Sequence, residues 1–251
     1  MGILFPPRHC RNVNRWVFYI KGYVMKISVN TLHWDNVDTR ILESHKMVMK
    51  HFDIPVEYHN MNIEHGLWMN AVCRNTDADV YVFFDIDCVP LNREVYDEAI
   101  NYVTENNSLF GNAQVSNHIH PKTHVFAAPS FLAITKSCYE QLGKPTFYPT
   151  MRSDVAEEIS HIAEEMGKRY RCLYPTKFDG VPKKDGVWRL SNYGYYGIGT
   201  VYENKTYHLF ESRWGDHIEL FQKRCQQIVD GQFIMDGMYD SLAEFYGHKV
   251  K

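Results

Sequence analysis

The chain has 251 residues, 45% of them hydrophobic, enough for a sizeable core in one α/β domain or at most two small ones. Its formal charge of -3 gives no general support for nucleic acid or an anionic membrane as a partner. No apolar run reaches the length of a membrane span. The Met1-Gly2 start has Pro6 where a myristoylation signal needs Ser or Thr, and Trp16 to Ile20 is too short for a signal-peptide core. Six scattered cysteines (Cys10, Cys73, Cys88, Cys138, Cys172 and Cys225) lack zinc-site or redox spacing and read as free thiols. Together these lead us to expect a soluble, cytoplasmic protein.

Residues 1–24 read as an N-terminal arm or extension, in which Pro6-Pro7, Arg8, His9 and Arg11 precede a short apolar patch. Residues 25–251 read as a single α/β domain. Ile27 to Leu32 is the first expected strand. Asp38 can cap a helix through Ile41, Leu42, His45, Val48, Met49 and Phe52, which recur at helical spacing. Val56 to Met61 is the second strand. Glu64 to Arg74 is a second helix with Leu67, Trp68, Ala71 and Val72 inward.

Val80 to Phe84 is an uninterrupted apolar and aromatic run, the pattern of a strand buried on both faces. Asp85 and Asp87 follow it, before Pro90. Alternation along the strand predicts both carboxylates on one side, at the end of the sheet where open α/β folds bind ligands. Two carboxylates so close repel unless a cation sits between them. Paired oxygens suit a hard ion, Mg²⁺ or Mn²⁺, and so a phosphate-bearing substrate.

Arg93 to Thr104 reads as a helix and Leu109 to Val115 as a strand. His118, His120 and His124 stand in a loop context, which favours surface or substrate contact over metal ligation. Val125 to Ala128 and Phe131 to Thr135 read as strand segments with Pro129 as a bend. Ser137 to Leu142 is a short helix stopped by Gly143. Ser153 or Asp154 caps a long helix, with Val155, Ile159, Ile162, Ala163 and Met166 inward and Gly167 at its end. Residues 171–198 suggest a long mobile loop. Thr200 to Phe210 is a late strand, Ile218 to Val229 a helix, and Met235 to Tyr246 a further helix. Local basic clusters stand at Lys168-Arg169-Tyr170-Arg171 and Lys183-Lys184.

Over about residues 26–220 the chain resembles the GT-A nucleotide-sugar glycosyltransferases of the Asp-x-Asp type. Gly66 and Asn70 lie on the helix before the motif strand, with Asn70 fifteen residues ahead of Asp85. Tyr81-Val82-Phe83-Phe84-Asp85-Ile86-Asp87 matches the motif strand. Phe131 to Gly143 looks like the acceptor-side strand and short helix, Asp154 like the acidic residue at the start of a long helix, and His208 like the late histidine that ligates the metal. The resemblance implies a GT-A fold, a mainly parallel central sheet flanked by helices. It also implies sugar transfer from a nucleotide-diphosphate donor to an acceptor hydroxyl.

In that reading Asp85, Asp87 and His208 hold Mn²⁺ or Mg²⁺, Asp85 alternatively holding the donor ribose. Asn30, Thr31, Gly66, Asn70 and Arg213 contact the nucleotide sugar. Asp154, with Glu157 one turn on, is the candidate general base if the reaction inverts the anomeric centre. A loop with Tyr193, Tyr195 and Tyr196 is expected to close over the donor. The base-reading acid of the family is replaced by Tyr58-His59-Asn60-Met61, so the nucleotide stays open, a UDP-sugar standing first. The acceptor is open between glycan, lipid-linked sugar, protein and a modified DNA base.

Two other readings remain. Asp85-Ile86-Asp87-Cys88-Val89 also resembles the first motif of haloacid dehalogenase-type phosphatases, with Asp85 as nucleophile and Gly215-Asp216 as a late acidic motif. That nucleophile strand normally opens its domain, whereas two βα units precede this one. A non-catalytic sugar-nucleotide-binding module is the other, against which the intact Asp-x-Asp argues.

Overall fold

The computed structural model describes residues 17–20, 23–179 and 186–241. In chain order the elements are β1 (Val17–Ile20), β2 (Tyr23–His33), α1 (Thr39–His51), β3 (Glu57–Asn60), α2 (His65–Asn75), β4 (Val80–Phe84) and β5 (Cys88–Pro90). They continue with α3 (Glu94–Asn106), β6 (Leu109–Val115), β7 (Val125–Thr135), α4 (Lys136–Gln141), α5 (Glu157–Glu165), β8 (Arg171–Leu173) and β9 (Pro175–Asp179). The last are β10 (Val187–Arg189), β11 (Tyr195–Gly197), β12 (Gly199–Tyr202), β13 (Thr206–Leu209), α6 (Gly215–Val229) and β14 (Met238–Asp240).

Among the described residues, the main sheet has seven strands in the order β1-β2-β4-β7-β6-β8, with β3 also on β2. β2, β3, β4, β6 and β8 run one way; β1 and β7 are reversed. The mainly parallel sheet expected from the sequence is therefore present. All five side chains of β4 are buried, and they alternate. Tyr81 and Phe83 join Trp68, Met69 and Val72 of α2, Tyr139 of α4 and Ile159 of α5. Val80, Val82 and Phe84 join Val95, Ala99, Ile100 and Val103 of α3. Helices cover both faces, which is why the strand has no polar side.

A second sheet, β14-β9-β12-β13-β5, is wholly antiparallel. Its core joins Val89, Val201, Tyr207 and Leu209 to Ile41 and Val48 of α1 and to Ile218, Phe221, Cys225 and Ile228 of α6. A buried ion pair, Arg224 Nη2 to Asp179 Oδ1 at 2.6 Å, ties α6 to β9, and Tyr207 Oη donates to the other carboxylate oxygen at 3.2 Å. A smaller hairpin pairs β10 with β11.

Several expectations are corrected. The motif strand stops at Phe84; Asp85 to Asp87 form a turn, and Cys88 to Pro90 belong to the second sheet. Residues 171–198 contain four strands, with 180–185 outside the described residues. Thr200 to Phe210 is a hairpin, because Glu203 and Asn204 take left-handed backbone at φ 47° and 55°. Where a helix is expected from Met235, β14 pairs with β9 instead, and residues beyond 241 lie outside the described ones. Met166 and Leu67 are exposed. Pro129 lies within continuous β7, where β6 skips from Leu132 to Ala128. Such a bulge accommodates a residue without an N–H. Asp38 caps α1 as expected, accepting from the Arg40 N–H at 2.8 Å. Cys73, Cys88, Cys138, Cys172 and Cys225 are free and buried; Cys10 lies outside the described residues.

α2 approaches the Phe147-Tyr148 backbone so closely that a Cβ on Gly66 would collide with the Phe147 carbonyl oxygen. Gly66→Ala is expected to destabilise the fold by about 1–3 kcal/mol in urea denaturation, because backbone must shift. Burial holds the His45 imidazole at about 3, against the field of Asp87 and a Cys88 backbone hydrogen bond. The unfolded chain, with an ordinary imidazole, then binds the extra proton, so stability falls as pH drops below the ordinary value of 6.5. Between pH 7 and 5 this contributes a loss of about 2 kcal/mol. His45→Gln is expected to remove that part of the pH dependence, measured as the difference in urea midpoints.

Candidate active site

The site forms where the chain passes from one sheet to the other. The Asp85 N–H donates to the Ser130 carbonyl at 3.0 Å, inside the β7 bulge, and the Cys88 N–H returns to the Asp85 carbonyl at 3.0 Å. β5 then pairs with β13 so that Cys88 faces His208, and the Leu209 N–H donates to the Asp87 carbonyl at 2.9 Å. Beneath the turn, Asn112 donates to Ser130 Oγ at 3.2 Å and accepts from Thr206 Oγ1 at 2.8 Å. The turn is thus fixed from three strands.

His208 Nε2 lies 3.4 Å from Asp87 Oδ1 and 3.8 Å from Asp85 Oδ2. One ligand atom from each of the three lies within 4.8 Å of the others. His208 is buried, while the two carboxylates keep 24% and 15% of their side-chain surface, so the cluster opens to solvent through the acids. Burial first, and then the charge of Asp87, push the Asp85 carboxyl above its usual range, although His65 and His208 oppose this. For Asp87 burial acts upward, but hydrogen bonds from His208 and Ser212 and the His208 charge outweigh it and hold it low. Two crowded carboxylates of unequal basicity with a histidine beside them form a candidate donor set for a cation. Two oxygens and one imidazole suit Mn²⁺ or Mg²⁺.

The other expected residues are not all drawn to this point. Asn30 and Thr31 are buried at the C-terminal part of β2, one strand over. The Asn30 amide donates to Ser28 and its oxygen lies 3.2 Å from His59 Nε2, while Thr31 Oγ1 is buried without a partner. Asn70 accepts from the Phe147 N–H and donates to Thr146 Oγ1, both at 3.1 Å, so it pins the segment that Gly66 packs against. Arg213 is exposed, its guanidinium 6.0 Å from the Trp34 ring centroid.

Asp154 does not cap a helix. α5 starts at Glu157 after Ala156 in left-handed backbone at φ 63°. The Asp154 carboxylate accepts from the Val155 N–H at 2.7 Å and the Asn117 N–H at 3.3 Å, with His118 Nδ1 at 3.6 Å. Its charge reaches Tyr196, whose ring packs on Phe210, and Phe210 packs on His208. Glu157, one of the two candidate bases, is only 2% exposed; its Oε2 accepts from the Asp154 N–H at 2.6 Å. Tyr195 and Tyr196 lie in β11, and Tyr196 is fully buried against Trp188 and Phe210, so they form no lid; Tyr193 is exposed beside Tyr174.

Two contributors escaped the sequence reading. His65 Nε2 lies 3.5 Å from Asp85 Oδ1 while its ring stacks on Trp68. Ser212 bonds Asp87. His65 directly precedes Gly66 on the helix already singled out, which was an available signal; Ser212 had none.

No protein-family model matches the chain, and no curated protein matches it in sequence. Among solved structures it is similar to a mannosyltransferase from Pyrobaculum calidifontis in complex with GDP-Man and Mn²⁺. Identity there is 15% and the TM-score 0.44, covering 64% of this chain and 58% of that one, so the chain spans less than two thirds of that enzyme. A Drosophila β-1,4-galactosyltransferase 7 variant in complex with manganese, UDP-Gal and xylobiose is 15% identical, with TM-score 0.42 and coverage of 74% and 72%. A 4-diphosphocytidyl-2C-methyl-D-erythritol synthase from Anaerococcus prevotii is 14% identical, with TM-score 0.39 and coverage of 59% and 88%. Among the described residues no helix is long and apolar enough to cross a membrane.

Asp87→Ala is expected to weaken Mn²⁺ binding, read by calorimetry, by about 100-fold or more, and His208→Ala by at least about 10-fold.

Proposed function

We propose that the chain is a metal-dependent glycosyltransferase that takes a nucleotide-diphosphate sugar, a UDP-sugar first, and transfers the sugar to an acceptor hydroxyl. The observation that carries this is the convergence of Asp85, Asp87 and His208 at the end of β4, beside the C-terminal part of β2. In α/β sheets that edge is the ligand crevice. A bound Mn²⁺ or Mg²⁺ supplies charge neutralisation for the departing diphosphate. Asp85, Asp87 and His208 hold it, with His65 orienting Asp85 and Ser212 orienting Asp87. Asn30 and Thr31 line the nucleoside side. Gly66 and Asn70 act there by setting the height of the 146–148 backbone, and Arg213 is available to a phosphate at the rim.

Asp154 takes the proton from the acceptor hydroxyl in an inverting transfer. Glu157 positions it by holding its backbone N–H. A glycan acceptor is favoured over a DNA base, because Arg171 in the basic run is paired with the Glu203 carboxylate. A DNA acceptor would show steep loss of activity with salt.

The test is calorimetric titration with UDP, GDP and CDP, each with and without Mn²⁺, beside Asp87→Ala. Binding of one nucleotide that needs both metal and Asp87 is the expected result. No nucleotide binding, with Asp85-dependent hydrolysis of a generic phosphate ester, overturns the proposal in favour of the phosphatase. Asp154→Asn is expected to lower kcat by about 10²–10⁴-fold with donor affinity retained; an unchanged kcat would remove Asp154 from the role of base.

A further inference from the structure

A second group of ligand-type side chains, sharing no residue with the motif turn, lies on the face of α5 that meets His124. Glu157, His161 and Glu164 recur at i, i+4 and i+7, which puts them on one helical face. His124, just ahead of β7, meets that face. Its ring stacks on His161 with centroids 3.7 Å apart and planes 12° apart. Its Nδ1 lies 2.7 Å from Glu157 Oε1, and its Nε2 lies 3.3 Å from Glu164 Oε1. His161 Nε2 is buried without a hydrogen-bond partner and lies 3.7 Å from Glu157 Oε1. One ligand atom each from His124, His161 and Glu164 falls within 4.8 Å of the others.

We infer that His124, His161 and Glu164 form a binding site for a borderline transition-metal ion of the Zn²⁺ class, with Glu157 as the carboxylate that orients His124. The donor chemistry separates it from the motif site, because two imidazoles and one carboxylate select zinc-type ions over hard oxygen-seeking ones. The internal logic is that of a metal-binding histidine. A carboxylate at Nδ1 fixes the proton there and leaves the Nε2 lone pair for a metal. Glu157 is suited to that role, being 2% exposed and locked by the Asp154 N–H at its other oxygen. Glu164 is steadied by Tyr170, whose hydroxyl lies 2.5 Å from Oε1. Three protein ligands would leave a four-coordinate ion one further position, and Glu164 reaches solvent. An ion bound here would give the His161 Nε2, which has no hydrogen-bond partner, a ligand to meet. The rival arrangement is a His124 imidazolium bonded to both Glu157 and Glu164, which leaves His161 without a task.

The test uses the full chain carrying Asp87→Ala, so that the motif site is disabled. Titration with Zn²⁺ is followed by calorimetry, and with Co²⁺ by visible absorption. The expected result is one ion per chain with the absorption of four-coordinate Co²⁺. Added His161→Ala should weaken binding by about 100-fold or more and Glu164→Gln by about 10-fold, with far-UV circular dichroism confirming that each folds. Should His161→Ala fail to fold, His161→Gln replaces it. No binding, six-coordinate Co²⁺ absorption, or binding indifferent to His161 and Glu164 would each overturn the proposal.

Discussion

The turn from Asp85 to Asp87 is where this molecule is joined. On its near side β4 is the buried centre of a mixed sheet; on its far side β5 is the edge of an antiparallel one. A peptide that changes sheets leaves its ladder partners behind, and its N–H and C=O groups must be satisfied elsewhere. Here Ser130, Asp85 and Asp87 carbonyls accept from Asp85, Cys88 and Leu209 N–H groups in turn. The turn can hold two neighbouring carboxylates because those bonds leave it little freedom to relieve their repulsion. Their unequal basicity follows from burial and from which of them His208 and Ser212 reach.

Much of the remaining structure serves that junction. The β7 bulge at Pro129 carries the Ser130 carbonyl that accepts from Asp85, and Asn112 braces it through Ser130 and Thr206. α2 brings His65 to Asp85 because Gly66 lets it lie against the Phe147 backbone, and Asn70 fastens the same segment. That segment continues to Ser153 and Asp154, so one packing arrangement sets both ends of the proposed reaction. Glu157 links Asp154, the proposed base, to the His124 and His161 pair.

Elements whose signal is local were legible. The cap at Asp38, the helical spacing of α1, and the apolar run of β4 each rest on residues a few positions apart. Elements whose signal is a partner were not. β14 forms because β9 offers an open edge, and β10 and β11 because each covers the other. α5 begins later than the Ser153-Asp154 pair suggests, since Ala156 takes left-handed backbone to bond the Phe147 carbonyl. Met166 and Leu67 fit the apolar spacing of their helices, yet both are exposed.

By itself the sequence determined the α/β class and the buried motif strand with its two carboxylates, because hydrophobic periodicity and adjacent charges are written in order along the chain; His208 became a candidate only through the resemblance to a family. Only the tertiary structure decided that Asp85 and Asp87 sit in a turn between two sheets. It alone brought His65 to Asp85 and Ser212 to Asp87, and it set Glu157 between the Asp154 N–H and His124. It also joined His124 to His161 and Glu164 across 37 and 40 residues. Such meetings depend on strand register and helix placement, where a single residue of slip moves a side chain to the other face, and no local pattern encodes them.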